Sequence, residues 1–157
     1  MDNSLKFHTL PRKPKKIKTL QDMPLCGDVL HRPCPFCSLQ NVQDFKILNR
    51  LGSGSFSNVF LATHPLYESP VVLKLLLKNG ESKTLYENEV CILKKIKHPN
   101  IIKILDSFEN IDFFALVLEY IPGRDLFDIL KDHSSLSRND QKGIFKQIVS
   151  GNFFINF

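Results

Sequence analysis

One lysine stands out first. Lys74 lies inside Val71–Leu77, VVLKLLL, a run that is otherwise apolar. An ammonium placed there needs a counter-charge, or a stem long enough to carry it back to water. Fifteen residues later Glu89 falls in a segment with helical spacing. Upstream, Leu51-Gly52-Ser53-Gly54-Ser55-Phe56-Ser57-Asn58-Val59 puts two glycines between apolar stretches. Glycine leaves no Cβ between a backbone N–H and a phosphate oxygen. The loop fits the approach of backbone amides to a phosphate, and a lysine and a glutamate that meet nearby fit a functional ion pair. Each also has an ordinary reading. A glycine-rich hairpin is often only a turn, and a strand lysine often packs its stem and frees its head. Their order along one short stretch favours the ion pair.

Those residues need elements to hold them. Apolar residues on both sides of the glycines predict two strands in Phe45–His64 joined by a flexible loop. VVLKLLL reads as a buried strand. A helix is predicted over 84–97, with Thr84 and Glu87 at capping-box spacing and His98-Pro99 ending it. Its apolar stripe is Leu85, Ile92, Leu93 and Ile96. Glu89 is four residues from Leu85 and Leu93 and three from Ile92, so it shares that face. IIKILDSFEN and FFALVLEY read as two more strands, the second broken by Pro122-Gly123. A short helix is expected from about Asp125 to Asp132. A last one opens at Ser137–Asp140, with Ile144, Phe145, Ile148, Val149 and Phe153 on one face. The loop precedes a strand rather than a helix, which argues against a dinucleotide fold.

The 157 residues are about one domain's worth, 43% hydrophobic and 24% charged, as in ordinary globular proteins. No apolar run approaches the roughly 20 residues of a membrane span, and the first residues have no apolar signal-peptide core. An intracellular protein, cytoplasmic or nuclear, without membrane contact is the expectation. Residues 1–18 carry six Lys/Arg against Asp2, and the rest of the chain is balanced. Five of the nine prolines fall within residues 1–43. Residues 1–43 are therefore expected to be a basic, loosely folded extension, and residues 44–157 the folded unit. Within the extension, PRKPKKIK (11–18) has the composition of a nuclear-localisation stretch or of a solvated tail. No aromatic interleaving supports nucleic-acid stacking. Cys26, His31, Cys34 and Cys37 are zinc-competent ligands, although C-x-x-C alone is also ordinary thiol spacing. Cys91 reads as packing.

The folded part resembles the amino-terminal lobe of eukaryotic protein kinases. The resemblance rests on GSGSFSNV, VVLK, ENEVCIL, KHPNIIKI and LVLEYIPGRDLFDIL, in that order, and runs from about Asp44 to the end of the chain. The wording is closer to serine/threonine kinases of the calmodulin-dependent and Snf-like groups than to tyrosine kinases. It implies an α+β fold: an antiparallel sheet of about five strands, one packed helix, and two helices of an incomplete helical lobe. It also implies ATP as ligand. Gly52, Ser53, Gly54, Ser55, Phe56, Ser57 and Asn58 would cover the phosphates, and Leu51 and Val59 would sandwich the adenine. Lys74, paired with Glu89, would hold the α- and β-phosphates. Leu118 would stand at the gatekeeper position, backbone groups of Glu119 and Ile121 would meet the adenine edge, and Asp125 would reach the ribose. Ser57 replaces the third glycine of the family pattern. Val72 stands where the family usually has alanine, which narrows the adenine pocket.

Neither H-R-D nor D-F-G occurs in the sequence. In the family those motifs supply the group that accepts the substrate's proton and the ligands of Mg²⁺. A truncated, pseudokinase-like chain with little or no phosphoryl transfer is therefore expected, whatever ATP it binds. Two rivals stand beside that reading. One is a non-catalytic interaction protein whose final helix is covered by a protein partner. The other is a basic, zinc-tethered nuclear or nucleic-acid adaptor acting through residues 1–43.

Overall fold

A computed structural model of the chain describes residues 40–53, 57–131 and 136–155. Six strands form one antiparallel sheet: β1 Asn41–Val42, β2 Phe45–Ser53, β3 Ser57–Thr63, β4 Val71–Leu77, β5 Ile104–Glu109 and β6 Phe113–Glu119. Their spatial order is β1-β2-β3-β4-β6-β5. Three helices accompany them, α1 Ser82–Lys95, α2 Leu126–Lys131 and α3 Arg138–Ile155. The α+β architecture is as expected. The added strand is β1, which pairs Val42 with Phe45 and lies just ahead of the boundary drawn at 43/44.

The period of two along β4 sorts its side chains onto two faces. Val71, Leu73 and Leu75 join a buried cluster with Phe45, Ile47, Phe60, Ala62, Ala115 and Val117. Val72 and Leu76 join a second with Phe114, Leu116 and Leu118, against which Tyr86, Val90 and Leu93 of α1 pack. Lys74 belongs by parity to the second set, so the strand aims it at the α1 side.

The helix meets the sheet in a different phase from the one its apolar residues suggested. Tyr86, Val90 and Leu93 face the sheet, whereas Leu85 and Ile92 are 44% and 49% exposed. Tyr86 is the reason. Its ring stacks on Phe114 with centroids 4.7 Å apart, a large apolar contact that a count of aliphatic residues overlooks. The cap also differs. Asn79 Oδ1 accepts the Ser82 N–H at 2.8 Å, while Ser82 Oγ accepts the Asn79 N–H at 2.8 Å. This reciprocal pair, rather than Thr84 and Glu87, opens the helix, and Ser82 is buried by it. The helix stops at Lys95, before the His98-Pro99 expected to end it. Cys91 is exposed, not packed.

α2 is capped by Asp125, whose Oδ1 accepts the Asp128 N–H at 2.7 Å. α3 opens where expected: Ser137 Oγ accepts the Asp140 N–H at 3.2 Å and donates to Asp140 Oδ2 at 2.7 Å. It rests on the α1–β5 connection through polar contacts. Ser150 Oγ lies 3.1 Å from His98 Nε2, and Asn100 Nδ2 donates to Gln147 Oε1 at 3.3 Å. Gly151 is buried there, while Phe145, Ile148, Val149 and Phe153 are half to mostly exposed.

Candidate functional site

The sheet and α1 bring together the two charges singled out in the sequence. Lys74 Nζ donates to both Glu89 carboxylate oxygens at 2.7 Å. The two side chains keep 27% and 32% of their surface. Burial on either side explains how they meet. Lys74 lies opposite Val59 on β3 and Leu116 on β6, and α1 crosses this face with Glu89 between Tyr86, Val90 and Leu93. A pair this solvated adds only about 0–1 kcal/mol to stability. Its value is positional: the ammonium is held at one point on an apolar surface.

That surface runs from Lys74 toward the end of β6. Val72 lies opposite Leu118, and the half-buried Val59 packs against the same cluster. Gly52 pairs with Val59, which pairs with Lys74, so all three share a face. A Cβ built on Gly52 would meet nothing within 4 Å. Gly52 has no positive φ, so neither the backbone nor protein packing requires glycine there. The missing side chain leaves open space over the face that carries Lys74.

The other sequence-derived candidates are placed as follows. Leu51 and Ser53 are exposed, Ser57 is half-buried and Asn58 is buried. Gly54, Ser55 and Phe56 lie outside the described residues, as do Cys26, His31, Cys34, Cys37 and the basic 11–18 stretch. Glu119 ends β6. Its N–H donates to the Lys103 carbonyl at 3.0 Å, and its Oε1 accepts the Lys103 N–H at 2.8 Å. Its N–H is thus committed to the β5 side. Ile121 is exposed at 62%, and Asp125 is exposed while capping α2. Two cavities open on the surface, the second of which reaches Glu119. One of about 420 Å³ is lined by His98, Phe145, Val149 and Phe153, and one of about 570 Å³ by Leu93, Ile96, Ile101 and Ile104.

Sequence reasoning missed two polar features near the site. Arg50 donates to Asn58 across β2 and β3. The Lys103–Glu119 exchange ties the end of β6 to β5. The first had no signal in the sequence, because it depends on the skip of Leu51 in the β2–β3 register. Nor had the second, because it depends on which strands become neighbours. Outside the site, Glu109 is held below the ordinary carboxylate range, first by its hydrogen bond from Lys78 at 2.7 Å and then by that ammonium's charge.

A strand lysine is thus fixed by a helix glutamate on an apolar face that also carries Gly52. The family model described as the protein kinase domain matches residues 45–155. The chain belongs to the protein kinase family. It is 33% identical over 115 residues to a probable myosin light chain kinase of Dictyostelium discoideum, covering 73% of this chain and 37% of that protein. To the serine/threonine-protein kinase TIO of Arabidopsis thaliana it is 37% identical over 111 residues, 69% of this chain and 8% of that one. To the calcium/calmodulin-dependent protein kinase type 1 of Caenorhabditis briggsae it is 31% identical over 132 residues, 81% and 36% respectively. The chain thus spans little more than a third of these kinases at most. The six-stranded antiparallel sheet with its helices fits the amino-terminal lobe of that domain.

Proposed function

We propose that this chain is the nucleotide-holding part of a serine/threonine protein kinase domain and binds ATP on the Lys74 face. The observation that carries the proposal is the two-oxygen Lys74–Glu89 pair at 2.7 Å beneath the open space above Gly52. Lys74 would place its ammonium against the α- and β-phosphate oxygens, and Glu89 would keep it from folding back to solvent. Val59, Val72 and Leu118 would take the adenine ring by apolar contact. Backbone groups of Glu119 and Ile121 would face its edge. Asp125 would have to serve the ribose with an oxygen not used in capping α2.

Phosphoryl transfer depends on positioning and charge neutralisation around the transferred group. The residues that do this in kinases sit in H-R-D and D-F-G motifs, which this sequence does not contain. Among the described residues, no group of three or more His, Cys, Asp or Glu gathers as a metal site. No step through Mg²⁺ is therefore assigned to these residues. The proposal is nucleotide binding, with little or no transfer by these 157 residues themselves. Titration with ATP and ADP, followed by thermal shift, tests it. A rise in melting temperature that Lys74→Met removes is expected; no shift at millimolar nucleotide would refute it.

A second reading rests on a different observation, the exposed apolar side of α3 (Phe145, Ile148, Phe153) with Phe127 and Leu130 of α2. A regulatory protein using a kinase-like fold would present such a surface to a protein partner. It would retain that binding after Lys74→Met, whereas the nucleotide response would be lost.

A further inference from the structure

The glycine hairpin grows from a strand whose register is irregular. Along β2, Ile47 pairs with Ala62 but Asn49 with Leu61, and Arg50 pairs with Phe60 but Gly52 with Val59. One residue is skipped each time, Leu48 and then Leu51. The second irregularity comes immediately before Gly52 and Ser53. Glycine-rich strands specify register weakly, and a slip of one residue turns every side chain to the opposite face. Something must hold this step.

Arg50 and Asn58 are placed to do so. Arg50 lies opposite Phe60, and Asn58 lies opposite Ser53 on one side and Leu75 on the other. Both are therefore on the inner face of the sheet, diagonal to one another across the skipped Leu51. The Arg50 guanidinium donates to Asn58 Oδ1. Asn58 is one of only two buried polar side chains among the described residues, and no buried side-chain polar atom there lacks a partner. On the opposite face, the register held by this bond sets Gly52 beside Val59 and Lys74.

We infer that Arg50 and Asn58 are positioning residues for phosphate recognition: their hydrogen bond locks the β2–β3 register that sets Gly52 on the face of Lys74. The inference rests on the nucleotide-binding reading above. It makes a demand that a merely structural contact does not. The bond governs the phosphate end of the site and leaves the adenine face, Val72 and Leu118, untouched. Its loss should weaken ADP and spare adenosine.

The test is calorimetric titration of the 157-residue chain with ADP and with adenosine, alongside melting temperature. Arg50→Ala leaves Asn58 buried without this partner and should cost stability as well as ADP affinity. The decisive variant replaces both partners, Arg50→Met with Asn58→Leu. Removing both polar groups should return much of the stability, yet the ratio of ADP to adenosine affinity should stay about five- to tenfold below wild type, the worth of roughly one hydrogen bond. A double variant with wild-type stability and a wild-type ratio would overturn the inference, as would equal weakening of both ligands. If the unaltered chain binds neither ligand, the nucleotide reading itself fails and takes this inference with it.

Discussion

Lys74 and Glu89 form a pair whose strength matters less than its location. Half-solvated ion pairs contribute about 0–1 kcal/mol to folding, so Lys74→Met should melt close to wild type while losing the response to nucleotide. Thermal shift with and without ATP reads both quantities in one experiment. Gly52 gives the opposite case. Its φ is ordinary and a Cβ would meet nothing within 4 Å. Gly52→Ala should therefore leave stability unchanged or raise it by about 0.4–1 kcal/mol, through a less flexible unfolded chain. If the space above it belongs to phosphate, ATP affinity should nonetheless fall. Asn79→Ala removes half of the reciprocal cap of α1 and should cost about 1 kcal/mol in chemical denaturation. Thr84→Ala, at the position the capping-box spacing pointed to, should cost less.

The elements divide the work. β4 and β6 form the floor, and their alternation decides which residues face α1. Leu73 and Leu116 are fully buried on opposite faces of the sheet. Either Leu→Ala change should cost about 2–5 kcal/mol. Leu116→Ala should also disturb nucleotide binding, because Leu116 lies directly opposite Lys74. At the far end of β4, Lys78 joins Glu109 of β5 and lies over the Phe114 ring at 4.7 Å. The Glu109 carboxyl is lowered by this pairing. A lowered carboxylate contributes stability above its unfolded range and loses it as pH falls through the folded value. Acidification into that range should loosen the β4–β5 end, and Glu109→Gln should remove this part of the pH dependence. The effect is small because the carboxylate is exposed. Amide exchange near Lys78 and Asp112, whose carbonyl accepts the Lys78 N–H at 2.9 Å, is the sensitive measurement.

Across the whole molecule the apolar surface is uneven. The sheet buries an apolar cluster on each face, whereas α2 and α3 leave Phe127, Phe145 and Phe153 more than 60% exposed. α3 meets the rest of the described structure at His98 and Asn100, by the hydrogen bonds of Ser150 and Gln147 and by the contact of the Phe154 ring with His98 at 5.2 Å. Surfaces of this kind favour association. Sedimentation should show concentration-dependent self-association that Phe145→Glu with Ile148→Lys reduces, with no change in the nucleotide response. Loss of that response in the same variant would mean that α3 supports the Lys74 face.

Much of this was legible in the residues alone. The period of two in VVLKLLL put Lys74 on one face, glycines flanked by apolar strands marked the hairpin, and Glu89 shared a helix face with Leu93, which does meet the sheet, although Leu85 and Ile92 of the same stripe do not. These are local patterns, and chain geometry carries them directly into structure. The phase of α1 was not legible, because the stack of Tyr86 on Phe114 outweighs aliphatic spacing, and Phe114 is a neighbour only once β4 and β6 have paired. Nor was the Arg50–Asn58 bond, which exists because β2 skips Leu51 and brings a diagonal pair within reach. Which elements form follows from periodicity along the chain. How they are turned toward one another is decided by contacts between residues far apart in sequence, and only the folded sheet brings those together.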